Sequence, residues 1–445
     1  MNSPLSPAPL DRPESPDPLA GSTRDFLTRP EPDLAAKAVA FSRWHDARIG
    51  FGGFPYAKRL TGAPTPRAAL RLLDGSLQEG LNFSSQDYLG LASHPAVKAA
   101  ACAAVGCYGV HSAGSSALAG EMDLAGPVAA GLGELLRMPH VTLFPTGWAA
   151  GYGVVRGLVR ETDHVVIDLL AHNCLMEGAL AATRKVVPFL HLDVAHARQK
   201  LAGIREREPQ AGILLVTESL FSMDADTPRI AAFQDLADEF GARLLVDVAH
   251  DLGCLGETGG GQLERQGCLG RVDLVIGSFS KTFASNGGFV GCRDRAVHDY
   301  LRYFAPPNTF SNALGPVQLA VVAETLRIVR AEEGGVRRTA LLRAVHALRG
   351  GLVAHGVKVL GAAAPIVPTY IGSAAAGRRA VKLCGERGVL VNLVEFPAVA
   401  RNASRFRLQV MATHTPEECE MAARVVAGAL EEAQAAEAPG EPSAA

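Results

Sequence analysis

The stretch Val272-Asp273-Leu274-Val275-Ile276-Gly277-Ser278-Phe279-Ser280-Lys281 decides how the rest of the chain is read. Its first half is a short, largely apolar run of strand length. Its second half is abruptly polar and ends on a lysine. A strand that is apolar on both faces belongs in a sheet covered by helices on both sides. Four further runs have the same form: Val141–Phe144, His164–Asp168, Gly212–Thr217 and Arg243–Asp247. Helical stretches such as Thr227–Phe240, with apolar residues near 3.6 spacing, separate them. From Asn82 to Val329 the pattern predicts an α/β domain on a parallel or mostly parallel sheet. From about Ala331 it changes. A long helix leads to strands at Val357–Leu360, Pro365–Ile371, Val389–Val394 and Arg405–Met411, with helices at Ala376–Arg387 and Pro416–Glu432. That is the pattern of a smaller α+β domain.

The chain outside these two blocks is simpler. Residues 1–32 hold eight prolines and read as a disordered tail, as do residues 433–445. Residues 33–81 form an N-terminal arm in which Asp33 caps a helix over Ala35–Arg48. Residues 82–329 form the large domain and 330–432 the small one. With 43 Lys+Arg against 45 Asp+Glu, the 445-residue chain has no global basic field, which excludes nucleic acid as a partner. Its apolar runs are too short to span a membrane, and the Pro- and Asp-rich start lacks the order of a signal peptide. The eight cysteines form no CxxC pair and read as reduced thiols of a cytoplasmic protein.

Ligands of such sheets collect at the carboxyl ends of the strands. Thr146-Gly147-Trp148 follows one strand and opens a helix. Asp168 and His172 follow the next. Glu218 and Ser222-Met223-Asp224 follow a third. Asp247 and His250 follow a fourth, and Ser278 to Lys281 a fifth. A glycine turn at a helix start suits a phosphate. A lysine in an apolar setting can lose its proton and bond a carbonyl. A buried aspartate needs a cationic partner. Phosphate, carbonyl and protonated ring nitrogen together describe pyridoxal phosphate. Singly, each residue has an ordinary reading: a solvated lysine, a capping aspartate, a packing histidine, a turn. Their joint arrangement outweighs those readings. The chain has no P-loop and no GxSxG elbow. The glycine-rich Gly256–Gly261 follows a helical segment rather than a strand, against a dinucleotide loop. His191 and His196 have no ligand-spacing context, so no metal is expected.

These residues make the sequence resemble the α-oxoamine synthases, fold-type-I pyridoxal-phosphate enzymes. The resemblance runs from about Ala40 to Leu430. It is carried by Asn82 to Leu91, His94-Pro95, Thr146 to Ala150, Asp168 to His172, Glu218 to Asp224, Asp247 to His250, Gly277 to Lys281 and Arg405-Phe406-Arg407. It implies a large domain on a mostly parallel seven-stranded sheet, a smaller C-terminal α+β domain, and pyridoxal 5'-phosphate as cofactor. It implies that Lys281 bonds the cofactor and later moves the substrate Cα proton. It places Asp247 on the pyridine nitrogen, His250 beside the ring 3-oxygen and His172 on the ring face. Gly147, Trp148 and Ser278 would bind phosphate, and Ser222 would lie near the ring. Arg407, with Gln86 and His172, would bind the amino-acid substrate. The implied reaction is decarboxylative condensation of a small amino acid with an acyl thioester of CoA or a carrier protein. The site is expected at a homodimer interface, with Thr309-Phe310-Ser311-Asn312 supplied by the partner subunit. An aminotransferase, an aldolase-type lyase and a non-catalytic synthase subunit are the alternatives. Gln86 stands in place of an asparagine, Ser116 of an arginine, Gly151 of an asparagine and Val248 of a glutamate of the family pattern. Gly126–Gly131 replaces a usual His and Glu.

Overall fold

The computed structural model describes residues 17–27 and 33–437. Fourteen strands appear among them. They are β1 (Arg59–Leu60), β2 (Arg67–Arg71), β3 (Leu77–Asn82), β4 (His140–Phe144), β5 (His164–Asp168), β6 (Val186–Phe189), β7 (Ile213–Glu218), β8 (Arg243–Asp247), β9 (Leu274–Ser278), β10 (Gly288–Cys292), β11 (Ile366–Gly372), β12 (Val389–Leu390), β13 (Leu393–Val394) and β14 (Ser404–Gln409).

Seven strands form the central sheet in the order β4-β10-β9-β8-β7-β5-β6. Pairings from β6 through β9 are parallel, and β10 is antiparallel to both its neighbours. The sheet is therefore mostly parallel and seven-stranded, as expected. Its core arises from the two-residue period of a strand. Val166, Leu215, Leu244, Val246 and Val275 pack into one apolar cluster. Val165, Ile167, Leu214, Val216, Leu245 and Ile276 pack into a second. Both faces are thus buried, each such side chain contributing about 1.5–3 kcal/mol. Helices Gly147–Leu158, Asn173–Ala182 and Arg295–Phe304 supply residues to the second face.

The C-terminal part of the chain holds a three-stranded sheet, β11-β14-β13, flanked by helices Glu332–Ala354, Ala374–Glu386 and Pro416–Ala435. The arm does not stand apart from it. β1, β2 and β3 form a ribbon to which β12 adds in parallel, with Leu81 opposite Val389 and Asn82 opposite Leu390. Gly80 is required there, because a Cβ would lie 2.1 Å from the carbonyl oxygen of Gly388. Among the described residues no helix is long and apolar enough to cross a membrane.

Several expectations are corrected. The disordered reading of residues 1–32 fails for Asp17–Leu27. Arg378 donates to the carbonyls of Leu19 and Gly21, and Phe26 packs on Phe41 and Trp44. Residues 1–16, 28–32 and 438–445 lie outside the described residues. The last helix runs through Ala435 with Ala433 buried, so the C-terminal tail starts later than expected. Asp33 does not cap the first helix, which starts at Ala36. It closes the preceding turn, accepting from the Ala35 N–H at 3.0 Å. Val357–Leu360 shrinks to a single bridge between Val359 and Thr369. Val389–Val394 divides into β12 and β13, because the Asn392 side chain donates to the Ser84 carbonyl and its carbonyl accepts from Arg407. The segment before Gly256–Gly261 is a run of turns and bends, Ala249–Gly259, not a helix. β6 and β10 carry weak strand signals in the sequence: Pro188 interrupts the first, and two glycines dilute the second.

Candidate active site

The carboxyl ends of β4, β5, β7, β8 and β9 and the start of β10 meet at one edge of the sheet. A cavity of about 410 Å³ opens there. It is lined by Gln86, Gly147, Trp148, His172, Ser222, Asp247, His250, Ser278, Lys281 and Arg407, the residues to which the resemblance gives cofactor or substrate roles in this chain's own site; Asp168 and Asp224, also singled out at strand ends, do not line it. Arg407 comes to it from β14 of the C-terminal three-stranded sheet.

One end is a glycine turn. Thr146 caps the helix Gly147–Leu158: its Oγ1 accepts from the Ala149 N–H at 3.0 Å and its carbonyl accepts from Ala150. The N–H groups of Gly147 and Trp148 stay outside this cap, at the positive end of the helix dipole. A Cβ at position 147 would meet Ser278 Oγ at 2.4 Å, so only glycine lets the two backbones close up. Ser278 and Ser280 hydroxyls lie 2.7 Å apart. Two N–H groups and two hydroxyls make a cradle for a small anion.

The middle of the cavity holds charge with little direct pairing. Asp247, 7% exposed, accepts one hydrogen bond, from the Ala249 N–H at 2.9 Å, and forms no ion pair among the described residues. Burial raises its pKa, while His172 and Lys281 pull it down. Burial lowers the pKa of Lys281, opposed by Asp247. His250, buried, has Nδ1 2.9 Å from the Tyr88 hydroxyl. Burial drives the tyrosine pKa up and the histidine pKa well down. The phenol therefore stays protonated and the imidazole neutral, and the two share one hydrogen bond at Nδ1. Solvent reaches the His172 ring through the cavity, yet the surrounding protein lowers its pKa. Its backbone N–H donates to Glu218 Oε1 at 2.6 Å, and burial keeps Glu218 well above the usual carboxylate range.

At the far side, β14 presents Arg405 and Arg407 two residues apart. Arg405 is engaged by Asp224 in an ion pair. Arg407 has no carboxylate partner, and its Nε and Nη2 are buried without a hydrogen bond among the described residues. A buried guanidinium with unused donors is set up for a planar anion such as a carboxylate.

The cavity also contains residues to which the sequence pattern assigns no role: Cys174, Met223, Ser280 and Asn286, with Glu218 on the wall. Glu218 and Ser280 were legible as strand-end polar residues. Cys174 and Asn286 carried no signal of their own. Ser116 lies elsewhere, in a separate small cavity beside Glu121. Thr309, Phe310, Ser311 and Asn312 do not line this chain's cavity. Among the described residues no cluster of three His, Cys, Asp or Glu could hold a metal.

A doubly covered, mostly parallel sheet with lysine, aspartate and a helix-start anion cradle at its strand ends defines the fold-type-I transferase class. The family model "Aminotransferase class I and II" matches residues 78–426. The 8-amino-7-oxononanoate synthase of Trichlorobacter lovleyi is 35% identical over 350 residues, 78% of this chain and 88% of that protein. The enzyme of the same name from Klebsiella pneumoniae subsp. pneumoniae is 33% identical over 366 residues, 82% of this chain and 93% of that one. A solved serine palmitoyltransferase of Sphingomonas wittichii superimposes with a TM-score of 0.83 at 26% identity, covering 91% of this chain and 99% of that chain. The chain belongs to the α-oxoamine synthase family, acyltransferases within aminotransferase class I and II.

Proposed function

We propose that this protein condenses a small amino acid with an acyl thioester, with loss of CO2, giving an α-amino ketone and a free thiol, and that its cofactor is pyridoxal 5'-phosphate. The residues present fit that group. The Gly147–Ser278 close approach leaves a phosphate-sized cradle, Asp247 is a buried carboxylate short of a cation, and Lys281 is an amine biased toward its neutral form. Bound there, the cofactor supplies a carbonyl that captures amines and a ring that withdraws electrons from the substrate Cα.

The chain's own residues do the rest. Gly147, Trp148 and Ser278 hold the phosphate. Asp247 holds the positive charge at the ring nitrogen, because leaving either charge unpaired in that setting is costly. Lys281 Nζ, free of its proton, takes the proton from the substrate Cα and later returns one. Arg407 grips the amino-acid carboxylate through two parallel hydrogen bonds. His172 and Gln86, which line the same cavity, would help Arg407 orient that carboxylate. His250 would supply a hydrogen-bonding ring nitrogen beside the cofactor's ring oxygen, and Ser222, on the loop after β7, would lie near the ring. One observation carries this reading: Arg407 arrives from the small domain with its guanidinium unpaired, opposite a lysine and an aspartate from the large domain.

The protein is read as a cytoplasmic homodimer. The exposed side chains Val110, Leu118 and Phe310, the last 88% exposed, support a partner subunit covering that surface and supplying Thr309–Asn312 to the opposite site. All eight cysteines are free, which supports a reducing compartment. The test is a panel of serine, alanine and glycine against acyl-CoA and acyl-carrier thioesters, read by CO2 and free-thiol release. Release with one pair identifies the substrates. Keto-acid-dependent amino transfer without CO2 overturns the reading.

A further inference from the structure

His172 is held from two sides, and the hold on its ring involves residues with no assigned role. The side chain caps the helix Asn173–Ala182: Nδ1 accepts from the Cys174 backbone N–H at 3.3 Å. The Cys174 sulfur lies 3.0 Å from the same nitrogen. A backbone N–H can only donate, so Nδ1 carries a lone pair and no proton. The sulfur must then donate as well. Burial first, and the nearby carboxylates second, push the Cys174 thiol up, so it keeps its hydrogen. With two donors on Nδ1, the ring proton is left on Nε2, on the side away from Cys174. His172 and Cys174 both line the cavity.

An independent feature fixes the sulfur. A Cβ built at Gly151, one turn into the helix Gly147–Leu158, would lie 2.3 Å from Cys174 Sγ. Any side chain at position 151 would displace the sulfur from Nδ1. The absence of a side chain at position 151 and the presence of sulfur at position 174 are therefore two halves of one packing solution.

We propose that Cys174 is a positioning residue for His172: with Gly151 making room for the sulfur, it holds the imidazole as the Nε2–H tautomer and turns that donor to the substrate side of the cavity. The S–H bond stabilises the neutral ring, so its loss shifts His172 toward the protonated form. The groups facing His172 from other elements are Asp247 on β8, His250 after it, Glu218 on β7, Lys281 after β9 and Arg407 on β14. Asp247 favours the imidazolium, while Lys281 and Arg407 oppose it.

The inference rests on the reaction proposed above only for its kinetic arm. The first arm is 15N–1H imidazole spectroscopy of the cofactor-loaded protein, with His172 assigned through His172→Gln. The expected spectrum has an unprotonated Nδ1 and a protonated Nε2. In Cys174→Ala and in Gly151→Ala, the His172 titration and the acid limb of the kcat/KM profile should both move up by about half to one pH unit. Cys174→Ser restores a donor and should return both close to wild type. A proton on Nδ1 in the wild type overturns the proposal. So does a Cys174→Ala protein whose tautomer and titration match wild type. If no amino acid and thioester pair releases CO2, the reaction falls, and the spectra still decide the tautomer.

Discussion

Two clusters of buried charge lie in this molecule and solve the burial problem in opposite ways. In the first, Glu395 sits between Arg48 and Arg378. Arg48 Nη1 is 3.0 Å from Oε1, Arg378 Nε is 2.8 Å from Oε2, and all three side chains are at most 2% exposed. Arg378 spends its other donors on the Leu19 and Gly21 carbonyls, and the Arg48 guanidinium lies 4.6 Å from the Trp44 ring centroid. Nearly every polar atom there is used within the chain. In the second cluster, Asp247, Lys281 and Arg407 share a cavity without a direct ion pair among them, and Arg407 keeps two buried donors idle. Burying charge is tolerated only when it is paired. In the first cluster every charge has an opposite partner, only Arg48 Nε being left without a hydrogen bond among the described residues, and it ties the N-terminal segment to the C-terminal part of the chain. The second, in the reading proposed above, is completed by cofactor and substrate. A buried charge without a partner marks a binding site, and a buried charge with its partners marks a joint.

That contrast can be broken in a graded series. Lys281→Ala should leave no measurable turnover and no bound-cofactor absorbance, with the far-UV spectrum unchanged. Retained CO2 release in that variant ends the assignment. Asp247→Asn should cost about 10⁴-fold in kcat, near 5 kcal/mol, because a neutral amide cannot hold a ring proton. A near-normal kcat removes Asp247 from its role. Glu395→Ala should instead act on stability, by about 3–5 kcal/mol, since it strands two buried guanidinium groups. Its measure is the denaturant midpoint, and an unchanged midpoint shows that the cluster is not the joint described.

His191 lies between the two cases. It contacts Asp168 at 2.9 Å and Asp226 at 3.0 Å, and so braces the loop that carries Ser222. Burial lowers its pKa, but the hydrogen bonds to both carboxylates outweigh that and push it up to about 10. A raised folded pKa stabilises fully below the unfolded value near 6.5 and is lost as the pH rises toward 10. His191→Asn should therefore cost about 2 kcal/mol at pH 6 and progressively less toward pH 10. A loss that grows with pH contradicts the sign. At the exposed extreme, Arg198→Ala removes the partner of Glu239, both about half exposed, and should leave the midpoint and its pH dependence unchanged.

Much of the site was legible because its chemistry sits where a parallel sheet always presents it. Asp247, Lys281 and Glu218 each terminate or follow an apolar run, and the strand-end rule pointed to them before any contact was known. Arg407 was legible through its likeness to the family; its neighbour Arg405 looks the same in sequence. The difference is Asp224, almost two hundred residues earlier, which engages Arg405 and leaves Arg407 free. Cys174 and Gly151 were not readable as a pair, because their relation is one of volume between two helices. The order in Asp17–Leu27 was likewise hidden, since its partners Arg378 and Trp44 are remote and its composition is that of a tail.

The sequence by itself determined the class of the fold, the edge of the sheet where polar residues gather and the side chains proposed to react there. These depend on local period and on the residues that end each strand. Tertiary structure alone decided which charges are paired. It set Arg407 apart from Arg405, joined the arm to the C-terminal part of the chain through β3 and β12, and brought Tyr88 to His250 and Cys174 to His172. Pairing and register are set by distances of about 3 Å between groups far apart in the chain, and no local pattern encodes them.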